Sequence, residues 1–380
     1  MRVVAGLCLL PLGIAVGLVS LRHPTLATRL VPVWSMGLAV FWATRWAVPV
    51  FSKYSARAQL CGFDINKKGT PQGEKPIPES LGYVSGTICV IGSVLLQLLL
   101  PFASGSEFNA ALHSMSFMLF LGFADDVLDI PWRYKLLLPS LGAIPLLVSY
   151  TGPTMVFVPE FLGGKGYLDL GNLYLGFLLL LVVFCTNAIN ILAGVNGLEA
   201  GQSFLIAIAS IILNLVQLYH APDSMLLDSY LGNFLSLLVL VPFAASTLGL
   251  LVWNWYPSQV FVGDSFTLFS GATLAVGSIL GHYHKVLLLF FAPQAINFLY
   301  SIPQLLGCVF CPRHRLPRYD TKTGLLHGIK SHMNLINLIL LVTGPTQEST
   351  LCLVVLFVQA VACSFAFALR YALMPQLFAK

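Results

Sequence analysis

The sequence predicts an all-α polytopic membrane protein: ten core transmembrane helices, an extra N-terminal helix and one small hairpin. Three observations carry this. Charged residues make up 9% of the 380-residue chain and hydrophobic residues 57%, whereas a soluble domain carries roughly 25% charged residues. Apolar runs close to the roughly 20 residues that a bilayer span needs recur along the chain, and mean hydropathy is +0.84. Polar clusters and basic residues gather in alternate connections. A large soluble core is excluded.

In order, residues 3–20 form an apolar run behind Met1-Arg2 with no clear small-residue cleavage site after it, so a retained helix is expected. Core helices follow at about 30–51, 82–103, 108–124, 134–150, 173–187, 199–219, 230–253, 264–281, 285–310 and 351–373. The Gly- and Pro-rich connection 151–172 contains Met155-Val156-Phe157-Val158, which reads as one arm of a hairpin. Residues 333–344 are apolar but too short to span, so an interfacial or re-entrant helix is expected there. The division is thus an N-terminal hydrophobic segment (1–29), one integral-membrane catalytic domain (30–373) and a short tail (374–380). The 8 cysteines lie mostly inside apolar runs, as small hydrophobes rather than a disulfide framework. Cys308 and Cys311 form a CxxC without a second pair or histidines at zinc-ligand spacing.

Alternating the ten core helices across a membrane puts Lys53, Arg57, Lys67, Lys68, Lys75, Arg133, Lys135, Arg313, Arg315, Arg318, Lys322 and Lys330 on one side, out of 20 Lys and Arg. The positive-inside rule makes that side cytosolic. The same five connections hold every unusual polar cluster: 64–79, Asp125-Asp126, 187–199, Asp264, and Arg313-His314-Arg315. The simplest account is one cytosol-facing site built from five loops.

Each cluster has a plain and a chemical reading. Asp125-Asp126 is either a solvated helix end or a hard-oxygen site suited to Mg²⁺; if the helix continues, Asp125 and Asp129 share a face. Asp264 is either an N-cap or a metal ligand, and Glu79 carries the same ambiguity. Lys135 is either a snorkelling anchor or a point charge for a lipid phosphate. Arg313-His314-Arg315 is either a headgroup anchor or a diphosphate clamp. Asn187, Asn190, Asn196 and Glu199 sit where two spans meet, a costly place for amides and a carboxylate. Acids suited to Mg²⁺ beside Lys and Arg are the parts of phosphoryl-transfer chemistry. Together they point to a metal-dependent transferase acting on a lipid phosphate and a soluble diphosphate. A transporter of nucleotide-sugar or lipid is the alternative; it needs access from both sides, yet the clusters are one-sided and no inverted repeat is evident.

These motifs, namely Leu60-Cys61-Gly62, Ile77-Pro78-Glu79-Ser80, Phe123-Ala124-Asp125-Asp126, Lys135-Leu136-Leu137-Leu138-Pro139, the stretch 185–201, Asn254-Trp255-Tyr256-Pro257-Ser258, Phe261-Val262-Gly263-Asp264 and Pro312-Arg313-His314-Arg315-Leu316-Pro317-Arg318, resemble those of the eukaryotic UDP-N-acetylglucosamine–dolichyl-phosphate N-acetylglucosaminephosphotransferases. These form a branch of the polyprenyl-phosphate phospho-sugar transferases in glycosyltransferase family 4. The resemblance covers about residues 46–373. It implies an endoplasmic reticulum membrane protein with a lumenal hairpin and a cytosolic active site, acting in protein N-glycosylation. Its substrates would be UDP-GlcNAc and dolichyl phosphate, its cofactor Mg²⁺, with membrane lipid around it and no nucleic-acid partner. A homodimer is compatible with it, and a related transferase with another donor is the nearest alternative function. By the same resemblance, Asn190 and Asp264 hold the metal. Asp125, Asp126, Lys135 and Asp264 form the reacting centre. Phe63, Asp64, Ile65, Glu79, Asn196, Arg313, His314 and Arg315 bind the nucleotide-sugar. Lys135 and the run Val183, Phe184, Cys185, Thr186, Asn187, Ala188, Ile189, Asn190 and Ile191 meet dolichyl phosphate. Three departures stand out: Phe63 replaces a glutamine of animal members, Asp129 replaces an asparagine, and the segment after Arg318 is shorter.

Overall fold

The computed structural model describes residues 2–158, 166–221, 231–312 and 314–373. Thirteen α-helices lie among them, in the order α1 (Arg2–Arg22), α2 (Pro24–Arg57), α3 (Gly82–Leu99), α4 (Ser106–Leu128), α5 (Trp132–Val148), α6 (Asn172–Ile191), α7 (Leu198–His220), α8 (Leu231–Asn254), α9 (Gly263–Leu280), α10 (His284–Phe290), α11 (Ala292–Leu305), α12 (Leu335–Thr343) and α13 (Glu348–Ala368). Three two-stranded antiparallel sheets join them: β1 (Cys61–Gly62) with β2 (Ile77–Pro78), β3 (Met155–Val158) with β4 (Gly166–Asp169), and β5 (Arg318–Asp320) with β6 (Leu325–His327). The expected hairpin is the second of these, with Met155 opposite Asp169. The tail 374–380 lies outside the described residues.

Nine of the ten expected core spans are each present as one helix, and seven described helices are by themselves long and apolar enough to cross a membrane. The ninth expected span is broken: α10 and α11 meet at 67°, and as a bent pair they make an eighth. Pro293 is the cause, because it cannot donate the backbone bond that would continue the helix. Gln359 of α13 donates its amide to the Phe290 carbonyl at this break, at 2.7 Å. A backbone oxygen freed at membrane depth is thereby satisfied.

The other two, α5 and α9, fall short for different reasons. α5 has 17 residues and two internal prolines. α9 is the central helix, buried continuously from Ser265 to Leu280 and packed against α3, α4, α6 and α8. It faces protein, so it needs no lipid-compatible surface. Its hydroxyls bond back to their own helix, as Ser270 does to Thr267 and Thr273 to Phe269. Small residues let neighbours approach closely: a Cβ on Gly271 would lie 2.3 Å from the Cys185 carbonyl oxygen of α6.

The N-terminal helix is part of this body. α1 packs on α7, and its Ala15 and Val19 belong to the main apolar core. The expected boundary at residue 29 falls inside α2, which begins at Pro24 directly after the buried His23.

Candidate active site

The five polar connections converge, as the alternation of spans requires. Pairing of β1 with β2 places Gly62 opposite Ile77, so Phe63, Asp64 and Ile65 leave one strand where Glu79 leaves the other. Phe261 extends the arrangement by donating its N–H to the Pro78 carbonyl at 2.8 Å. The result is a cleft of about 650 Å³ lined by Phe63, Asp64, Ile65, Glu79, Asn190, Asn196, Glu199, Phe261, His314 and Arg315, among others. That volume lies in the range of small-molecule sites, roughly 300–1,000 Å³. The Glu79 N–H donates to the Leu60 carbonyl at 3.0 Å, while its carboxylate borders the cleft with no hydrogen bond among the described contacts, and burial together with the Asp264 charge pushes that carboxyl above the usual range.

Next to the lining residues Asn190 and Gly263, but not themselves lining the cleft, the paired aspartates have divided duties. Asp126 accepts the backbone N–H of Asp264 at 2.6 Å and of Ser265 at 3.0 Å. It is therefore the cap of α9, supplied by another helix. Gly263 makes this possible: its φ is +72° and a Cβ there would lie 2.5 Å from Asp126 Oδ2. Relieved of capping, Asp264 turns its carboxylate outward. Its Oδ2 accepts from Lys135 Nζ at 2.9 Å and its Oδ1 from Asn190 Nδ2 at 2.6 Å. Lys135 also pairs with Asp125 Oδ2 at 2.7 Å. Asp125 is 1% exposed whereas Lys135 and Asp264 are 24% and 25% exposed, so the latter two can reach a ligand and Asp125 holds Lys135 from below. Asp129 does not share the Asp125 face. α4 ends at Leu128, and Asp129, at φ +48°, closes it by donating its N–H to the Asp125 carbonyl.

The end of α6 presents a stripe, not a run. Val183, Phe184, Asn187, Asn190 and Ile191 are partly exposed, whereas Cys185, Thr186, Ala188 and Ile189 are buried. The expectation that all nine meet the lipid phosphate is corrected by the helical period, which turns those four into the core beside α9. Asn187 and Asn190 do share a face, although Asn187 donates its amide to the Val183 carbonyl of its own helix.

The far wall is held by residues that the motifs did not reveal. Buried Asn297, Ser301 and Gln304 form a polar stripe on α11, at spacings of four and three. Asn297 accepts the Leu335 N–H, Ser301 donates to the Met333 carbonyl, and Gln304 bonds both Ser331 and Met333. The fixed segment in turn grips the basic loop, since Asn334 and Asn337 both donate to the Arg315 carbonyl, at 2.7 and 2.9 Å. Arg313 lies outside the described residues. Opposite, Asn196 donates Nδ2 to Asp64 at 3.0 Å and its N–H to Glu348 of α13 at 2.9 Å. Lys67 pairs with both Asp64 and Glu348. Burial depresses the Lys67 amine, but Glu348 and Asp64 more than reverse this and hold it above its ordinary value. An acid opening the last span, and an amide repeat on the ninth, were the sequence signals for these supports.

Chemically, one end of the bundle offers two carboxylates, Asp125 and Asp264, on a single lysine, with a third, Asp126, capping the head of α9. No three His, Cys, Asp or Glu side chains converge as a metal cage among the described residues. Asn190 and Asp264 do meet at 2.6 Å. Turning the Asn190 amide about its terminal bond exchanges nitrogen for oxygen and presents two hard oxygen donors side by side. Mg²⁺ characteristically takes few protein ligands and completes its shell with phosphates and water, so this donor pair fits it, with Asp126 already engaged elsewhere.

Comparison with known proteins bears on what such a site serves. The model of glycosyl transferase family 4 matches residues 108–282. A Dictyostelium discoideum protein named UDP-N-acetylglucosamine–dolichyl-phosphate N-acetylglucosaminephosphotransferase is 46% identical over 347 residues, covering 85% of each chain. A Saccharomyces cerevisiae protein of the same name is 32% identical over 406 residues, covering 87% of this chain and 89% of its own. A Sulfolobus acidocaldarius protein, putatively of that name, is 28% identical over 67% of this chain and 72% of its own. With such identity over most of both chains, the chain belongs to the UDP-N-acetylglucosamine–dolichyl-phosphate N-acetylglucosaminephosphotransferase family, within glycosyl transferase family 4.

Proposed function

We propose that the protein transfers N-acetylglucosamine 1-phosphate from UDP-GlcNAc to dolichyl phosphate, the first step of N-glycan precursor assembly. An oxygen of the lipid phosphate forms a bond to the β-phosphorus of the donor. The bond from that phosphorus to the bridging oxygen breaks, and UMP leaves with the electron pair. The observation that carries this reading is the Lys135–Asp264–Asn190 chain of contacts. Asn190 belongs both to the lining of a nucleotide-sized cleft and to the partly exposed stripe of α6, so the chain of contacts joins the two.

Each residue's part follows from its placement. Lys135 supplies positive charge where the lipid phosphate and the donor diphosphate meet, and Asp125 orients it. Asn190 and Asp264 would hold Mg²⁺, which when bound neutralises charge on the diphosphate. Asp126 sets Asp264 through the α9 cap. Glu79, Asn196, His314 and Arg315 face the nucleotide-sugar across the cleft. A general base is dispensable, because a phosphate monoester with a second pKa near ~6 is already largely dianionic at neutral pH. Catalysis then rests on positioning and charge neutralisation. The basic residues on the site-bearing connections support a site that faces the cytosol, and the relatives' dolichyl-phosphate substrate supports the endoplasmic reticulum as the membrane.

Purified protein in detergent or nanodiscs, given UDP-GlcNAc, dolichyl phosphate and Mg²⁺, is expected to release UMP only when the lipid is present. UDP-GalNAc and UDP-MurNAc-pentapeptide should be poor donors. UMP release without lipid, or preference for another donor, would overturn the reading.

A further inference from the structure

We infer that Glu348 is a positioning residue for the donor, acting through a buried ionic clamp that joins the last span to the two loops walling the nucleotide-sugar cleft. The inference rests on the reading of that cleft as the UDP-GlcNAc site. Glu348 opens α13, 30 residues beyond Arg318, the end of the last recognisable motif, and is itself 5% exposed. Its Oε1 accepts the Asn196 N–H at 2.9 Å and the Asn66 amide at 3.4 Å, while its Oε2 lies 3.2 Å from Lys67 Nζ. Lys67 in turn pairs with Asp64, and Asp64 accepts the Asn196 side-chain amide at 3.0 Å. The Asn66 amide also reaches the Gly194 carbonyl, at 2.7 Å.

Asn196 is thus held twice, by its backbone and by its side chain, and both holds end in one three-charge cluster. All three charged members are about 95% buried. Two acids sharing one lysine leave a net negative charge, which burial makes costly unless hydrogen bonds compensate. The compensating donors are the Asn196 N–H and the Asn66 and Asn196 amides, and the two asparagines line the cleft. Geometry in the cluster therefore sets geometry in the donor site. Lys135, Asn190 and Asp264, at the reacting centre, have no bond to the cluster among the described contacts. Weakening the clamp should disturb donor binding and leave the chemical step alone.

The test is a steady-state comparison of wild type with Glu348→Gln, varying UDP-GlcNAc and dolichyl phosphate separately. The amide keeps an acceptor for Asn196 but turns a donor toward Lys67. Loss of a charge-assisted bond corresponds to about 10-fold or more in binding. The KM for UDP-GlcNAc should rise by about that factor, with kcat within about 2-fold and the KM for dolichyl phosphate unchanged. Titration of UDP-GlcNAc without lipid should show the same loss. Asn66→Ala, which removes only the bonds to Gly194 and Glu348, should give the same split at a smaller size and serves where Glu348→Gln fails to fold. An unchanged donor KM in either folded variant, or a parallel change in kcat and both KM values, overturns the inference. Failure of both variants to fold also overturns it, assigning the cluster to stability alone. Absence of lipid-dependent turnover in the wild type would instead sink the reading of the cleft.

Discussion

Asp126→Asn separates a positioning aspartate from a chemically reacting one. In the native protein both Asp126 oxygens accept backbone N–H groups of the first turn of α9, at 2.6 and 3.0 Å. Asparagine keeps one acceptor and turns an NH₂ toward the other N–H. One charge-assisted bond, worth ~1.5–3 kcal/mol, disappears and leaves a buried donor unpaired, while the second bond becomes a neutral one worth ~1 kcal/mol. Relief of repulsion from the nearby Asp264 carboxylate offsets part of this, so a net loss of about 1–3 kcal/mol is expected. Thermal unfolding in detergent should shift down by several degrees. Turnover should fall by about 10²-fold, because a displacement near 1 Å at Asp264 suffices for that. The shape of the pH–rate profile should persist. A variant as stable as wild type that loses activity together with one limb of the pH profile would refute the capping role and make Asp126 a proton carrier.

Four further outcomes follow from the same geometry. Lys135→Gln should lower turnover by ~10²–10³-fold and raise the KM for dolichyl phosphate, since the cation between Asp125 and Asp264 is lost; near-normal kinetics would remove it from the centre. Gly263→Ala should destabilise by about 1–3 kcal/mol for the positive φ alone, before the contact with Asp126, and should abolish turnover; a stable, active variant contradicts the close approach. Glu79→Gln should weaken UDP-GlcNAc binding yet raise the thermal midpoint at neutral and alkaline pH. Burial and the Asp264 charge raise the folded-state pKa of Glu79, so its contribution favours the fold at low pH and is lost as pH rises through that value; the variant's advantage should shrink toward acid pH, and an advantage independent of pH would contradict the assignment. Chelation by EDTA should abolish turnover and added Mg²⁺ restore it, with Asn190→Ala requiring more Mg²⁺; full activity after chelation would remove the metal from the account.

The architecture was legible because the bilayer imposes a length and polarity rule that composition obeys in plain view. That rule registered α9 as the span 264–281 but could not tell that this helix faces protein, with its Ser and Thr hydroxyls satisfied there. Nor did it anticipate the bend at Pro293, where a residue from a distant helix, Gln359, supplies the missing partner. The site's members were legible as costly polar residues at span ends. Their division of labour was not. Asp125 and Asp126 are adjacent and chemically identical, and only the close approach of Gly263 makes one a cap and the other the support for Lys135. Glu348 carried the weakest signal, a single acid before an apolar run, because its partners Lys67 and Asn196 lie far away in the chain.

The most direct test uses UDP-GlcNAc labelled with ³²P at the β-phosphate, incubated with purified protein, dolichyl phosphate and Mg²⁺, followed by organic extraction. The account predicts that the label enters the lipid phase together with GlcNAc, in a one-to-one ratio with UMP released. Transfer of GlcNAc into lipid with the β-phosphate left in water as UDP would contradict it.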